Sequence, residues 1–180
     1  MTVAILGGVF DPPHVGHVAL AEGALGLGAG EVLVLVAERP GHKKVVADAQ
    51  TRLRLAELAL GRFGDVRLDG HAYTIDFLRD AGLEDPILVL GADEWAAFET
   101  WKEPDEVRRL ARIAVAARPG HPKPEGVGVV EIAARPISSS EIRDRVGRGQ
   151  QIDDLVPREV AREIDRLGLY APRLPSSGRG

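Results

Sequence analysis

Residues 3–17 read Val3-Ala4-Ile5-Leu6-Gly7-Gly8-Val9-Phe10-Asp11-Pro12-Pro13-His14-Val15-Gly16-His17. The opening apolar run, with no polar alternation before its two glycines, is the pattern of a strand covered on both faces, as in a parallel sheet. A strand is therefore expected over 2–8. Past the proline-containing loop, Val18, Ala21, Ala24 and Leu25 recur at helical spacing, which predicts a helix over 15–27 stopped by Gly26, Gly28 and Gly30. Residues 31–37 (EVLVLVA) repeat the buried-strand pattern. Two such strands flanking a helix make a βαβ unit, with parallel strands and a right-handed crossover.

The alternation continues outward. A helix is expected over 48–60 with Leu53, Ala56, Leu58 and Leu60 buried, then a short strand over 66–68 and a helix over 74–81. A strong strand at 87–90 precedes a helical segment over 94–109 that breaks at Pro104. Strands over 113–117 and 127–132 and helices over 138–146 and 157–167 follow, the last with Pro157 in its first turn and Gly168 beyond its end. This order predicts an α/β fold with a doubly wound, mostly parallel sheet in three α/β/α layers. One domain is expected over 1–170, followed by a disordered tail over 171–180, rich in Pro, Ser, Gly and Arg.

The 180 residues are 44% hydrophobic and 28% charged, which is ordinary globular usage and excludes fibrous and wholly disordered classes. Lys and Arg total 23 against 27 Asp and Glu, so the net charge of −4 lacks the basic excess of a nucleic-acid surface. With no cysteine there are no disulfides, thiolate metal sites or cysteine nucleophiles. No apolar stretch suits a spanning helix, and the N-terminus lacks the features of a secretory signal. The expectation is a cytoplasmic protein with no membrane and no nucleic-acid partner.

In an open α/β sheet, ligands bind beyond the carboxyl ends of the strands, so the loop 7–17 is the first place to search. Gly7 and Gly8 allow close approach to the backbone, and a helix N-terminus directly behind them favours an anion such as phosphate. His14 and His17, three residues apart, share one face at that end if the helix has begun, where two donors can meet one phosphate; capping or packing is the structural alternative. Asp11 reads either as a turn residue ahead of Pro12 or, with the two histidines, as a metal ligand. No further strong ligand stands at suitable spacing, and no metal site is assigned.

Gly26, Gly28 and Gly30 follow a helix and precede a strand, the reverse of a dinucleotide fingerprint, and no P-loop motif occurs. The stretch Ile137-Ser138-Ser139-Ser140-Glu141-Ile142-Arg143 fits a capping box through Ser138 and Glu141. Its further hydroxyls and Arg143 also make a second anion cradle suited to a polyphosphate.

The pairing of G-G-x-F-D-P-x-H-x-G-H near the N-terminus with I-S-S-x-x-I-R near the C-terminus resembles the HxGH nucleotidyltransferase superfamily, and most of all its bacterial nicotinate-nucleotide adenylyltransferases. Supporting stretches are Ala72 to Leu78 (AYTIDFL), Gly91-Ala92-Asp93 with Trp101-Lys102, and the closing Leu155-Val156-Pro157-Arg158 through Gly168-Leu169-Tyr170. The resemblance covers about residues 1–170. It implies a Rossmann-like nucleotidyltransferase fold and transfer of AMP from ATP to nicotinate mononucleotide, giving deamido-NAD and pyrophosphate in NAD biosynthesis, with Mg²⁺ accompanying the phosphates.

By the same resemblance His14, His17 and Arg143 are the catalytic group. Gly7, Gly8, Phe10, Asp93, Ser139 and Ser140 join them in holding ATP, and Lys43 (or Lys44), Tyr73, Thr74 and Trp101 meet the pyridine mononucleotide. Asp93 also reads as a helix N-cap, and Trp101 as a packed tryptophan. Val9 stands where Thr or Ser is common, and the loop Arg39-Pro40-Gly41-His42-Lys43-Lys44 matches the family only loosely. The acceptor choice therefore stays open between nicotinate and nicotinamide mononucleotide, or both, with phosphopantetheine and a catalytically inactive nucleotide binder as remoter readings. Monomer and homo-oligomer are equally open.

Overall fold

Strands that are apolar on both faces need helices above and below them, and that requirement organises the chain. A computed structural model describes residues 1–41, 44–117, 128–131 and 137–172. Strands β1 (Val3–Gly8), β2 (Glu31–Ala37), β3 (Val66–Asp69), β4 (Ile87–Leu90), β5 (Arg112–Ala117) and β6 (Gly128–Glu131) form one sheet in the order β3-β2-β1-β4-β5-β6. Every pairing is parallel. The helices are α1 (Val15–Gly26), α2 (Ala49–Leu60), α3 (Thr74–Ala81), α4 (Ala92–Ala97), α5 (Pro104–Leu110), α6 (Ser139–Gly147) and α7 (Arg158–Leu167).

Side chains alternate along each strand between two cores. Ala4 and Leu6, Val32, Val34 and Val36, Ile87 and Val89, and Ala114 and Ala116 pack with the buried residues of α1, α2, α6 and α7. Their neighbours Ile5, Leu33 and Leu35, Leu88 and Leu90, and Ile113 and Val115 pack with α3, α5 and Phe98. The result is the expected doubly wound, three-layer α/β/α arrangement. No described helix is long and apolar enough to cross a membrane.

Two expectations need correction. The helical segment over 94–109 is α4, a 3-10 turn (Phe98–Thr100) and α5, separated where Glu103 takes a left-handed φ of 52° ahead of Pro104. The helix begins earlier than expected, with Gly91 as its N-cap and its N–H donated to Glu94 Oε2 at 2.9 Å. Asp93 thus lies inside the first turn and is not the cap. The strand over 127–132 is observed as β6, with residues 127 and 132 outside the described residues, as is the expected tail beyond residue 172.

The second correction is the buried face of α2. Leu55, Ala56, Ala59 and Leu60 are buried and Leu53 and Leu58 only partly, while Arg52 is 1% exposed. Its guanidinium donates from Nε to Ala47 O (3.2 Å), from Nη1 to Val9 O (3.0 Å) and Ala37 O (2.7 Å), and from Nη2 to Glu38 O (3.3 Å). These carbonyls end β1 and β2 and lead into α2, places where no neighbouring strand supplies a donor. Burial lowers the Arg52 pKa, and the nearby charges of Asp11 and Asp48 oppose that shift.

Replacing the guanidinium removes the donor from all four carbonyls at once. Arg52→Met is expected to lower stability by about 3 kcal/mol, the scale of leaving buried acceptors unpaired. Urea unfolding checks this: the midpoint should fall with the slope unchanged, and an unmoved midpoint would mean that those carbonyls do not depend on Arg52.

Candidate active site

The sheet reverses its winding between β1 and β4. Loops leaving a sheet at such a point diverge to opposite faces and open a crevice beyond the strand ends. A cleft of about 660 Å³ lies there, walled by Gly7 and Gly8 at the end of β1 with Val9 beyond it, Ala37 at the end of β2 with Arg39 beyond it, and Leu90 at the end of β4 with Glu94 beyond it. Tyr73, Thr74 and Trp101 complete it on the α3 side. The structure therefore gathers Gly7, Gly8, Tyr73, Thr74 and Trp101, five of the residues expected from the sequence, around one cavity.

The α3 side carries aromatic and positive character. Trp101 packs on Phe98 with ring centroids 5.3 Å apart, and Trp95 stacks on that same ring at 5.3 Å. Lys102 Nζ is held by both carboxylate oxygens of Asp76 (2.9 and 3.0 Å) and lies 4.9 Å from the Tyr73 ring centroid. Tyr73 is the extended N-cap of α3 and 53% exposed, and among the described residues no side chain caps that helix start. An uncapped N-terminus facing a cleft favours a negatively charged group.

Beside the cleft, the two histidines open α1. His14 is its extended N-cap and donates its backbone N–H to His17 Nδ1 at 3.1 Å, with the two rings stacked at 3.8 Å. Because His17 Nδ1 accepts, a neutral His17 ring carries its proton on Nε2. A Cβ on Gly16 would lie 2.9 Å from His14 Nδ1, so the residue between the histidines must be glycine for the His14 ring to sit there. Gly8 is constrained in the same way by the Phe10 ring, which would lie 2.8 Å from its Cβ. Phe10 is 1% exposed and meets His17 edge-on at 4.9 Å.

Burial lowers the His14 pKa from 6.5 to about 4, which keeps this ring neutral at pH 7, and its Nδ1 is buried without a partner among the described residues. One expectation changes here. The His14 amide is taken by His17, and the Val15 amide donates to Leu155 O at 2.9 Å, so these two N–H groups are not available to an anion.

Asp11 is neither a simple turn residue nor one member of a metal cluster. Its carboxylate, 1% exposed, accepts from Val46 N (2.7 Å), Ala47 N (3.3 Å) and the Tyr170 hydroxyl (2.7 Å). Burial and that bond to Asp11 push the Tyr170 hydroxyl pKa well above its ordinary value. Among the described residues no group of three or more His, Asp or Glu side chains is placed to hold a metal ion.

The second motif reaches the same loop. Ser138 caps α6 by accepting from Glu141 N at 3.1 Å, while the Glu141 carboxylate pairs with Arg145 at 3.0 Å. Ser139 Oγ donates to Pro12 O (2.8 Å), Arg143 Nη1 to Asp11 O (2.6 Å) and Arg143 Nη2 to Ser140 Oγ (3.1 Å). Residues more than a hundred positions apart thus meet directly ahead of His14.

Asp93 is exposed in the first turn of α4, and its neighbour Glu94 is the one on the cleft wall. Lys43 lies outside the described residues, and Lys44 is exposed. Sequence reasoning missed Arg39, His71 and Glu94 on the cleft wall. Each follows a strand's carboxyl end, and that position is the signal that could have found them.

The comparisons with known proteins agree with this geometry. The cytidylyltransferase-like family matches residues 5–145. A protein named probable nicotinate-nucleotide adenylyltransferase in Thermus thermophilus is 37% identical, over 94% of this chain and 100% of its own length. Its namesake in Leifsonia xyli is 36% identical over 93% of both chains. A solved structure, Plasmodium falciparum nicotinic acid mononucleotide adenylyltransferase complexed with NaAD, shares the fold with a TM-score of 0.77 at 18% identity, covering 94% of this chain and 97% of that one. A sheet reversed at β1 and β4, a histidine pair opening α1 and near full-length identity above one third place the chain in the cytidylyltransferase-like family, among the nicotinate-nucleotide adenylyltransferases.

Proposed function

We propose that this enzyme transfers AMP from ATP to nicotinate mononucleotide in the cytoplasm, releasing pyrophosphate and forming deamido-NAD. The observation that carries the reading is the convergence of Ser139 and Arg143, the latter bonded to Ser140, on the loop that leads into His14 and His17, beside a cleft with the start of α3 on its wall. The acceptor's phosphate oxygen attacks the α-phosphorus of ATP, the bond from that phosphorus to the bridging oxygen breaks, and pyrophosphate leaves. No covalent intermediate on the protein is needed. Catalysis then consists of positioning the two phosphates and stabilising the charge that develops.

In this reading His17 donates from Nε2 to the phosphates, and His14, neutral before they arrive, gains a partner from them. Arg143 has five donors, of which two are engaged with Asp11 O and Ser140 Oγ, and its remaining capacity serves the β- and γ-phosphates with Ser139 and Ser140. Gly7 and Gly8 line the nucleotide path with Phe10 buried behind them against His17, and Asp93 is assigned to the ATP side by family resemblance. The described residues offer no carboxylate cage, so Mg²⁺ belongs with the ATP phosphates and no step is assigned to a protein-held metal.

The nicotinate carboxylate fits the start of α3, where Tyr73 and Thr74 face the cleft, and the pyridine ring fits against Trp101. Lys43 is assigned to the acceptor phosphate by family resemblance. Nicotinamide mononucleotide carries a neutral amide at that point and gains nothing from the helix dipole.

Two measurements test the proposal. Pyrophosphate release with ATP and Mg²⁺, at matched subsaturating mononucleotide, should be at least about tenfold faster with nicotinate than with nicotinamide mononucleotide, or about 1.4 kcal/mol at the transition state. Equal rates would make the enzyme dual-specific, and silence with both would overturn the acceptor assignment. His17→Ala should reduce turnover at least about 100-fold, the scale of one preorganised electrostatic contact. A folded variant with near-normal turnover would remove His17 from the catalytic group.

A further inference from the structure

Between β3 and α3, four residues (70–73) turn the chain from the sheet edge into the cleft and deliver Tyr73 and Thr74. His71 stands in this turn, on the cleft wall. Its Nδ1 lies 2.6 Å from Asp69 Oδ1 and its Nε2 3.1 Å from Asp80 Oδ2, while its backbone N–H also donates to Asp69 Oδ1 at 3.1 Å. A carboxylate only accepts, so both ring contacts are hydrogen bonds only when both nitrogens carry protons. Asp69 ends β3 and Asp80 lies in the last turn of α3. The imidazolium therefore ties the strand to the helix across the turn that joins them.

The same ring meets Phe77, another cleft residue, edge-on at 5.8 Å. The charged groups around it are Asp69 and Arg67 on β3, Asp76 and Asp80 on α3, Lys102 bound to Asp76, and Glu38 and Arg39 beyond β2. Arg67 lies over the Phe77 ring at 5.9 Å, and a Cβ on Gly70 would be 3.2 Å from Glu38 Oε2. Histidine is the side chain whose charge changes nearest neutral pH, and His71 is the histidine of this group.

We propose that His71, ion-paired to Asp69 and Asp80, is a positioning residue that holds Tyr73 and Thr74 in place for the acceptor mononucleotide and so sets its affinity. The inference rests on the proposed acceptor site at α3. It concerns binding of the mononucleotide, not the chemistry at His14 and His17 or the affinity for ATP. Hydrogen bonds to Asp69 and Asp80 raise the His71 pKa above its ordinary value. The two-sided clamp is therefore complete below that raised pKa, and one side of it is lost as pH rises through it.

The test compares wild type, His71→Ala and His71→Arg by steady-state kinetics with nicotinate mononucleotide and ATP from about pH 6 to 9. His71→Ala should raise KM for the mononucleotide about tenfold while kcat and KM for ATP stay within about twofold. Wild-type KM for the mononucleotide should climb with pH in step with His71 deprotonation, followed by the ring's nitrogen NMR signals, and His71→Ala should lose that component. His71→Arg, charged throughout with donors on both sides of its fork, should restore the low KM and remove its pH dependence. An unchanged KM in His71→Ala, a parallel change in kcat and both KM values, or the same pH slope in wild type and His71→Ala would overturn the proposal. Absence of wild-type turnover with nicotinate mononucleotide would instead sink the acceptor assignment, and this inference with it.

Discussion

Two buried charges of opposite sign hold the loops from which the site is built. At the carboxyl ends of parallel strands the chain leaves the hydrogen-bonded ladder, and its carbonyls and amides must find partners elsewhere. Arg52 supplies donors to three such carbonyls (Val9, Ala37 and Glu38) and to Ala47 O ahead of α2, and Asp11 accepts the Val46 and Ala47 amides together with the Tyr170 hydroxyl. Each bond made adds little net stability, but each one left unmade in the interior costs considerably more. The cation and the anion are thus required by the backbone that leaves the ends of β1 and β2.

That requirement shapes the chemistry. The segment from Val9 to His14 is held at nearly every step: Val9 O by Arg52, the Asp11 carboxylate by residues 46, 47 and 170, Asp11 O by Arg143, Pro12 O by Ser139 and the His14 amide by His17. Groups fixed before substrate arrives need little reorganisation when charge develops, which is where an enzyme without a covalent intermediate finds its advantage. Arg52 and Tyr170 touch no proposed ligand and still govern where the histidines stand.

Much of this was legible beforehand, for identifiable reasons. Strands β1, β2 and β4 announce themselves by apolar runs suited to a strand covered on both faces, α1 by the helical spacing of Val18, Ala21, Ala24 and Leu25, and α7 by Pro157 and Gly168 at its ends. The histidine pair and the serine-rich start of α6 are local patterns, and glycine between the histidines follows from the space that the His14 ring needs. At α2 the reading held for Ala56 and Leu60, which are buried, but overvalued Leu53 and Leu58, which are only partly so, and passed over Arg52, which turns inward. Arginine is assigned to the surface by default, and only a ring of unpaired carbonyls makes its burial favourable. It also treated Asp93 as a cap candidate where Gly91 begins α4 with Glu94 folded back on it.

The sequence by itself determined the order and type of the elements, the parallel sense of the sheet and the residues that meet within one helical turn, because these depend on periodicities of two and about 3.6 residues and on glycine and proline. Tertiary structure alone decided which polar side chains are buried and what they hold: Arg52 against the ends of β1 and β2, Tyr170 on Asp11, Ser139 and Arg143 on the loop before His14, and the open start of α3 facing Gly7 and Gly8 across the cleft. Partners so far apart along the chain leave no local pattern. Strand order, with its reversal between β1 and β4, brings them together.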